Sequence, residues 1–473
     1  MTSSLLDTTD ARPVHFIGIA GAGMSALAEL LIKRGVSVAG TDANPSGAPD
    51  LAALGVRISA HDEKLVAAAR AVVYSSAISP LHPEMLAARA LGLPVVRRAE
   101  ALAQAVSGGT LVAIAGTHGK TTTTVMTTEA LAAAGLQPTG VVGGRVGSWG
   151  GNLRLGDLAA AQPTYVVEAD EYDRSFLALD PTVAVVLNVE ADHLDIYRDL
   201  DDIERTFEAF CAPARVVVRC ADDHGAMTLR LAARHEVIAY SAVIEPHGAN
   251  GHTARPAADA RLVADGLELS PDGSRFRVVF DGETLGEVVL AVPGLHNVRN
   301  AMAAIGAGLA VGCTVPAMAP GLAAFRGVER RFQRLGDARG VQVVDDYAHH
   351  PTEVSATVAA ARHAFPGHRL VVAFQPHLYS RTRDLQQEFA EALSAADVLF
   401  LCDVYGARET PIAGVSSALI GERVPRGCLQ WSGPRSTLAS ALHAFVREGD
   451  IVMTMGAGDI TKTGPELLAA LRS

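Results

Sequence analysis

Short apolar runs rich in β-forming residues alternate with Ala- and Leu-rich helical stretches along this chain, and the alternation restarts twice. It begins at Val14 with "VHFIGIA", "SALAELLIKRG" and "VSVAGTD", and fades at "AQAVSGGT". It resumes at Thr110 with "TLVAIAG", and once more past "AFRGVERRF" with "VQVVDDY". Strands that alternate with helices build βαβ units, whose parallel strands share one sheet. The sequence therefore predicts an α/β protein with parallel sheets.

The breaks in this alternation predict where the domains begin and end. The chain has 473 residues, and a prior of about 150 residues per domain suggests three. We predict domains at 1–107, 108–326 and 327–473. Asp-Gly turns between 261 and 293 predict antiparallel hairpins attached to the second domain. The stretch 241–260, rich in Ala, Gly, His and Pro, is predicted to be a surface loop.

Charge and cysteine content exclude several classes of protein. The formal net charge of -11 would repel DNA or RNA, so no nucleic-acid partner is expected. The five cysteines are scattered without metal-ligand spacing, which is typical of a reduced cytosolic protein. The polar start "MTSSLLDTTDARP" lacks the features of a signal peptide, and no apolar run is long enough to span a bilayer. We expect a cytoplasmic protein with no membrane insertion.

The segment "GTHGKT", from Gly116 to Thr121, follows a predicted strand and opens a predicted helix. In that setting backbone N–H groups and the helix N-terminus bind phosphate. Lys120 can neutralise the β- and γ-phosphates, and the Thr121 hydroxyl can reach a magnesium ion. The segment departs from the strict G-x-x-x-x-G-K-T pattern because Ile114 holds the first glycine position. An ordinary turn between a strand and a helix is the alternative.

Acidic residues follow two apolar strands of the second domain. Glu168 ends "YVVEAD" at the carboxyl edge of the predicted sheet, where α/β proteins bind their ligands. The segment "LNVEADHLD" places a second polar group after another strand: Asn188, Glu190, Asp192, His193 and Asp195. Carboxylate oxygens suit a hard cation such as Mg²⁺, whereas imidazole suits it less. From the residues alone, His193 is either a metal ligand or an ordinary loop histidine.

A glycine-rich turn follows the first strand. Gly21-x-Gly23-x-x-Ala26 fits the G-x-G-x-x-A form of the dinucleotide-binding turn, and Asp42 ends the next strand at about the distance of a ribose ligand. A helix N-terminus recognises phosphates and not a base, so NAD and another diphosphate nucleotide both remain candidates. Glycines that only permit close packing of helix on sheet are the third interpretation.

Several polar clusters in the remainder of the chain allow more than one interpretation. "GLHNVRNA" puts Asn297 and Asn300 on one face of a helix, where they could bind an adenine edge or act as caps. Arginine and histidine collect in "RRFQRLG", "VVDDYAHHPTEV" and "FQPHLYSRTRDL". Guanidinium groups suit phosphate and carboxylate ligands, although solvated loops carry such clusters as well.

Taken together, these segments resemble one family, the ATP-dependent Mur ligases of peptidoglycan synthesis. The resemblance runs nearly end to end through "HFIGIAGAGMSALA", "GTHGKTTTT", "EADEYDRSF", "NVEADHLD", "GLHNVRNA", "RRFQRLG", "VDDYAHHPTEV", "FQPHLYSRTRDL" and "GAGD". It implies a Rossmann-like N-terminal domain that binds a UDP-sugar and a central P-loop ATPase domain with a parallel sheet plus a small antiparallel one. It also implies a Rossmann-like C-terminal ligase domain.

The resemblance also implies an activity. Its branch of the family ligates L-alanine to the lactyl carboxylate of UDP-N-acetylmuramate through an acyl phosphate, and releases UDP-N-acetylmuramoyl-L-alanine, ADP and phosphate. The implied cofactors are ATP and Mg²⁺, with Mn²⁺ as a substitute. The partners are UDP-N-acetylmuramate and L-alanine, and the protein is expected to be a monomer or a homodimer.

Residue roles follow from the same resemblance. Lys120, His193 and Arg331 are implied to be catalytic. The implied ATP-binding residues are Gly116, Thr117, His118, Gly119, Lys120, Thr121, Thr122, Asn297, Asn300, Arg331 and Asp346. Thr121, Glu168 and His193 are the implied metal ligands. Substrate binding is implied for Gly21, Gly23, Met24, Asp42, Ser75, Tyr347, His349, His377 and Arg381.

Two departures from the family pattern and three rival functions remain. Several relatives carry a carbamylated lysine after the "DH" motif, but "DLDDIERTFEAFC" has no lysine, as in the L-alanine branch, so the ligands of a second metal ion stay open. Leu378 stands where many relatives have arginine.

The rival functions are an NAD-dependent dehydrogenase, a nucleotide-gated binding protein without catalysis, and a ligase that attaches a tripeptide to the same sugar nucleotide.

Overall fold

The computed structural model describes residues 5–194, 196–242, 259–407 and 409–473. Most of the predicted surface loop at 241–260, and Asp195, lie outside the described residues. The described chain forms three sheets with helices between their strands, which confirms the predicted three-domain α/β fold. The predicted domain boundaries themselves stay predictions.

The first sheet is formed by the N-terminal residues and has the strand order β3-β2-β1-β4-β5, with every pair parallel. Its strands are β1 (Val14–Ile17), β2 (Val38–Thr41), β3 (Arg57–Ser59), β4 (Ala71–Tyr74) and β5 (Val95–Arg97). The helices are α1 (Ala22–Lys33), α2 (Pro49–Ala53), α3 (Glu63–Ala67), α4 (Pro83–Ala90) and α5 (Arg98–Ala105). The order reverses between β1 and β4, and ligands of α/β sheets bind at such a switch point.

The second sheet has ten strands in the order β15-β14-β13-β12-β11-β10-β6-β9-β7-β8. The strands are β6 (Thr110–Ala115), β7 (Thr139–Val146), β8 (Gly151–Arg154), β9 (Thr164–Glu168), β10 (Val183–Val186), β11 (Val216–Cys220), β12 (Glu236–Ser241), β13 (Leu262–Ser270), β14 (Gly273–Phe280) and β15 (Glu283–Leu290). The helices are α6 (Lys120–Ala133), α7 (Leu200–Cys211), α8 (His224–Thr228), α9 (Leu295–Ala310) and α10 (Val315–Ala324). Two-residue turns join β13, β14 and β15, as predicted, and turns this short allow only antiparallel pairing.

The third sheet has the order β16-β17-β21-β18-β19-β20. Its strands are β16 (Gln333–Ala338), β17 (Val341–Asp346), β18 (Arg369–Phe374), β19 (Val398–Cys402), β20 (Leu429–Gly433) and β21 (Asp450–Met455). The helices are α11 (Pro351–Ala364), α12 (Tyr379–Asp384), α13 (Gln386–Leu393), α14 (Ala418–Gly421), α15 (Arg435–Phe445) and α16 (Thr463–Arg472). Only β16 runs antiparallel, at one edge. Strands that are buried along all or nearly all of their length, such as β21 and β18, explain the continuous apolar runs in the sequence.

The chain forms two compact units. The first comprises Met1–Leu267, Phe276–Val289 and Val298–Phe325, and the second comprises Glu268–Arg275, Leu290–Asn297 and Arg326–Ser473. In the part of the chain that the structure describes, no helix combines the length and the apolar character needed to cross a bilayer.

A buried carboxylate ties the first sheet to helix α4. Glu84 is fully buried, and its oxygens lie 3.1 Å from His15 Nε2 and 2.9 Å from His61 Nδ1. They also accept hydrogen bonds from the Thr41 hydroxyl and the Asp62 N–H. Burial alone would raise the pKa of Glu84, but these hydrogen bonds outweigh it and lower the pKa to about 2. The stabilisation is therefore complete above the ordinary value of 4.5 and is lost as the pH falls from there towards 2.

Candidate functional site

The loop between β6 and α6 has glycine where a side chain would collide with its neighbours. Gly116 and Gly119 have φ of 147° and 83°, a region that favours glycine. A Cβ at Gly119 would lie 2.7 Å from Asn300 Oδ1, and one at Gly116 would lie 2.9 Å from Leu187 Cβ. Helix α6 begins directly after the loop at Lys120, so the N–H groups of its first turn are available to an anion.

Asn188 holds the middle of this loop. Its backbone carbonyl accepts the Thr117 N–H (3.1 Å), and its side-chain oxygen accepts the His118 N–H (2.7 Å). The Thr117 hydroxyl accepts the Glu190 N–H (3.0 Å). The polar residues after β10 thus fix the loop between β6 and α6 through hydrogen bonds to Thr117 and His118.

Thr121 and Glu168 meet at the carboxyl edge of the second sheet. The Thr121 hydroxyl donates to Glu168 Oε2 at 3.0 Å, and the Gly143 N–H donates to the same oxygen at 2.7 Å. Glu168 ends β9, and Thr121 lies in the first turn of α6. A hydroxyl and a carboxylate held together in this way are oxygen donors of the kind that a hard divalent cation takes.

Lys120 is surrounded by oxygen atoms. Its Nζ donates to Gly116 O (2.7 Å) and to Thr117 O (3.3 Å), and it lies 3.0 and 2.9 Å from the two carboxylate oxygens of Glu171. Burial alone would lower the pKa of Lys120, but the Glu171 and Asp170 carboxylates outweigh it and raise the pKa. The ammonium group is therefore charged at neutral pH.

His193 joins the same cluster through Glu171. Its Nε2 lies 3.5 Å from Glu171 Oε1 and 3.8 Å from Asp192 Oδ2, and its ring packs edge-on against Tyr172. Burial alone would lower the pKa of His193, but the Glu171 hydrogen bond and the Asp192 charge outweigh it and raise the pKa. His193 also adopts a left-handed backbone (φ 54°), a conformation that is uncommon for residues other than glycine.

The glycine-rich turn after β1 lies beside Asp42. Gly21 precedes the first residue of α1, and the carboxylate of Asp42 accepts the Ala20 N–H (2.9 Å). A Cβ at Gly23 would lie 3.0 Å from a guanidinium nitrogen of Arg98, so a cation faces this turn. Ser75 follows β4 across the switch point and is half-buried.

Met24, which is also predicted to bind substrate, has its side chain in the hydrophobic core. Its side chain is only 3% exposed and belongs to the hydrophobic core, and its N–H donates to Gly21 O (2.9 Å). A substrate contact from Met24 stays a prediction.

In the second unit, Arg331 and Tyr347 lie beside a buried carboxylate. The Arg331 guanidinium carbon is 5.1 Å from the centre of the Tyr347 ring, and Arg331 Nη1 is 3.2 Å from Glu353 Oε1. Asp346 accepts the N–H groups of Phe332 and Ala348. Burial raises the pKa of Asp346 to about 6, against the lowering effect of Arg331 and these hydrogen bonds.

A row of aromatic rings continues from Tyr347 along the carboxyl edge of the third sheet. Tyr347, His349, His377 and Tyr405 follow one another with ring centres 5.2, 5.8 and 5.9 Å apart. Arg381, buried, lies 3.4 Å from His377 Nδ1. The structure therefore brings together all four residues predicted to face the substrates in this part of the chain.

The two asparagines near the start of α9 have different surroundings. Asn300 is buried next to Gly119 of the loop between β6 and α6. The Asn297 side chain donates to Pro293 O at 2.7 Å, a local bond at the helix start. An adenine contact therefore stays a prediction for both residues.

Three charged residues that the structure puts in contact with predicted site residues were not predicted from the sequence. They are Arg98 beside Gly23, Glu171 beside Lys120 and His193, and Glu353 beside Arg331. Glu171 and Glu353 had a signal, because they stand in the segments "EADEYDRSF" and "VDDYAHHPTEV", whereas Arg98 had none.

Comparison with known proteins gives three matches to family models along the chain. They are the Mur ligase family catalytic domain (residues 13–110), the Mur ligase middle domain (114–308) and the Mur ligase glutamate ligase domain (330–458). A UDP-N-acetylmuramate--L-alanine ligase of Kineococcus radiotolerans is 45% identical over 97% of this chain and 96% of its own length.

Solved structures give the same result. The crystal structure of the UDP-N-acetylmuramate-alanine ligase of Thermotoga maritima superposes with a TM-score of 0.79, at 26% identity over 97% of this chain and 98% of that one. A Neisseria meningitides ligase of UDP-N-acetylmuramate and L-alanyl-gamma-D-glutamyl-meso-diaminopimelate is 28% identical, with a TM-score of 0.58, over 68% of this chain and 100% of that one.

Proposed function

The chain belongs to the Mur ligase family, and on that premise we propose that it ligates L-alanine to the lactyl carboxylate of UDP-N-acetylmuramate with ATP. The products are UDP-N-acetylmuramoyl-L-alanine, ADP and phosphate. The name of the Kineococcus radiotolerans relative supports alanine over the tripeptide, since that relative is 45% identical nearly end to end. We propose that the enzyme works in the cytoplasm as a monomer or a homodimer.

The chemistry requires activation of the acid. A carboxylate is a poor electrophile, and an amine does not displace its oxygen. The lactyl carboxylate oxygen attacks the γ-phosphorus of ATP, ADP leaves, and an acyl phosphate forms. The amine of L-alanine then attacks the acyl carbon, loses a proton, and expels phosphate as the tetrahedral intermediate collapses to the amide.

One observation carries the proposal: a largely buried, charged Lys120 begins helix α6 next to Thr121, whose hydroxyl is 3.0 Å from Glu168. Lys120 and the N–H groups of the loop would hold the phosphates of ATP, and positive charge there stabilises the transferring phosphoryl group. Asn300, buried beside Gly119, would lie on the adenine side together with Asn297.

The donors at this edge fit Mg²⁺, because Thr121 and Glu168 present oxygen atoms to one point. Thr121, Glu168 and His193 would hold the ion, and Mn²⁺ would fit the same donors. When bound, the ion neutralises charge on the phosphates.

The remaining predicted contacts complete the proposal. The turn at Gly21 and Gly23, with Met24, Asp42 and Ser75, would bind UDP-N-acetylmuramate. Arg331 and Asp346 would contact the phosphate and ribose of ATP. Tyr347, His349, His377 and Arg381 would face the muramoyl group and L-alanine. Under this proposal the domains are 1–107 for the UDP-sugar, 108–326 for ATP and 327–473 for closure and the amino acid.

Phosphate release measured with ATP, Mg²⁺ and UDP-N-acetylmuramate against a panel of amino acids tests the substrate assignment. L-Alanine is expected to give the highest kcat/KM, with glycine lower by about 10-fold or more because it lacks the methyl group. A preference for the tripeptide would establish the recycling ligase instead. Nucleotide binding without phosphate release would establish a binding protein, and a tight spectroscopic titration with NADH would support the dehydrogenase.

A further inference from the structure

Glu171 is a buried carboxylate that the proposed mechanism leaves without a task. It is 3% exposed, and both of its carboxylate oxygens lie within 3.0 Å of Lys120 Nζ. Lys120 has three N–H donors, and Gly116 O, Thr117 O and Glu171 already accept from it. A phosphate that binds Lys120 must displace one of these acceptors, and Glu171 is the one whose negative charge repels the phosphate.

If a phosphate displaces Glu171 from Lys120, the Glu171 carboxylate needs a new partner. A carboxylate in a buried site is stable only when a cation or hydrogen-bond donors compensate it. If Lys120 turns to a phosphate, Glu171 loses its counter-charge. The imidazole Nε2 of His193 lies 3.5 Å from Glu171 Oε1, the same oxygen that accepts from Lys120. A divalent cation that arrives with the nucleotide would supply the missing charge.

The backbone of Glu171 is fixed while its side chain can change partner. The Tyr197 hydroxyl donates to Glu171 O (2.6 Å), and the Arg174 N–H donates to the same oxygen (3.0 Å). Tyr197 is 2% exposed, so this anchor is internal. Because Oε1 already lies 3.5 Å from His193 Nε2, the carboxylate can pass from Lys120 to a cation beside His193 without a change of the backbone.

We propose that Glu171 exchanges partners when nucleotide binds: it holds Lys120 in the nucleotide-free protein, and it holds the nucleotide's divalent cation beside His193 afterwards. This inference rests on the proposed function, since it requires that ATP binds at the loop of Lys120. Glu171 would then compete with metal-free nucleotide for Lys120. The same carboxylate would strengthen the binding of the nucleotide's metal complex.

The test is calorimetric titration of the full-length protein with ADP and with AMP-PNP, in Mg²⁺ and in EDTA. Glu171→Gln removes one negative charge beside Lys120, so metal-free nucleotide is expected to bind about 10-fold more tightly or better. The same variant loses a cation ligand, so the gain in affinity that Mg²⁺ gives is expected to shrink by about 10-fold or more. Glu171→Asp keeps the charge and is expected to bind metal-free nucleotide as weakly as the unmodified protein.

Asp173→Asn is the matched control, because it removes a negative charge two residues away whose partner is Arg97 (3.8 Å). It is expected to leave both affinities unchanged. Equal weakening of both titrations by Glu171→Gln would show a structural role and overturn the inference, as would no change in either. Failure of the unmodified protein to bind Mg²⁺-nucleotide would instead overturn the proposed function.

A second measurement does not depend on a variant. A crystal structure of the unmodified protein with AMP-PNP and Mn²⁺ is expected to show Lys120 on a phosphate and the Glu171 carboxylate on an anomalous scatterer. An intact Lys120–Glu171 pair in that complex would overturn the inference.

Discussion

Lys120→Ala is expected to lower the rate of phosphate release by about 10³-fold or more, the scale seen when a cation that stabilises phosphoryl transfer is removed. The reason is electrostatic: Lys120 is a charged, largely buried group at the first position of α6, where negative charge builds up during transfer. The change also leaves the buried Glu171 without its counter-ion, so nucleotide affinity is expected to fall as well. A coupled phosphate assay at saturating substrates measures the effect.

Lys64→Ala is the matched control for Lys120→Ala, because Lys64 is an exposed lysine in helix α3, which follows β3 of the first sheet. It is expected to retain full activity. Circular dichroism checks that Lys120→Ala remains folded. If Lys120→Ala kept about a tenth of the activity, the assignment of phosphoryl transfer to this loop would be wrong.

Glu168→Gln is expected to lower kcat by about 10²-fold or more and to raise the Mg²⁺ concentration needed for half-maximal activity. The amide preserves the size of the side chain and one oxygen that can accept from Thr121 and Gly143, but it removes the charge that a divalent cation requires. Initial rates measured across a Mg²⁺ series separate the loss of cation affinity from the loss of turnover.

Thr121→Ser keeps the hydroxyl beside Glu168 and is the control for this series. It is expected to retain most of the activity, whereas Thr121→Val, which has no hydroxyl, should resemble Glu168→Gln in its Mg²⁺ requirement. A Glu168→Gln enzyme with an unchanged Mg²⁺ requirement would remove Glu168 from the proposed ligands.

The contacts of this site that depend on strand order could be predicted from the sequence. Glu168 and Thr121 follow neighbouring parallel strands, β9 and β6, and the carboxyl ends of such strands share one edge, so their contact was predictable. The glycines at 116 and 119 were predictable for a similar reason, because a phosphate loop needs close approach of the backbone.

Other contacts depend on local backbone paths that residue patterns do not encode. Asp173 and Arg174 adopt left-handed φ values of 56° and 54°, and in this turn Glu171 comes back to Lys120. Likewise, nothing in the sequence shows that Glu84, at the start of α4, is buried against His15 in the middle of a strand. Pairings between residues this far apart arise from tertiary packing.

In the proposed reaction, the carboxylate of the sugar nucleotide becomes an acyl phosphate before the amine attacks. UDP-N-acetylmuramate with ¹⁸O in both lactyl carboxylate oxygens, ATP, Mg²⁺ and L-alanine test it in one reaction, with mass spectrometry of the released phosphate. The proposed route predicts that each phosphate carries one ¹⁸O atom, because the oxygen that attacked the γ-phosphorus leaves with it. Amide product accompanied by unlabelled phosphate would contradict the account.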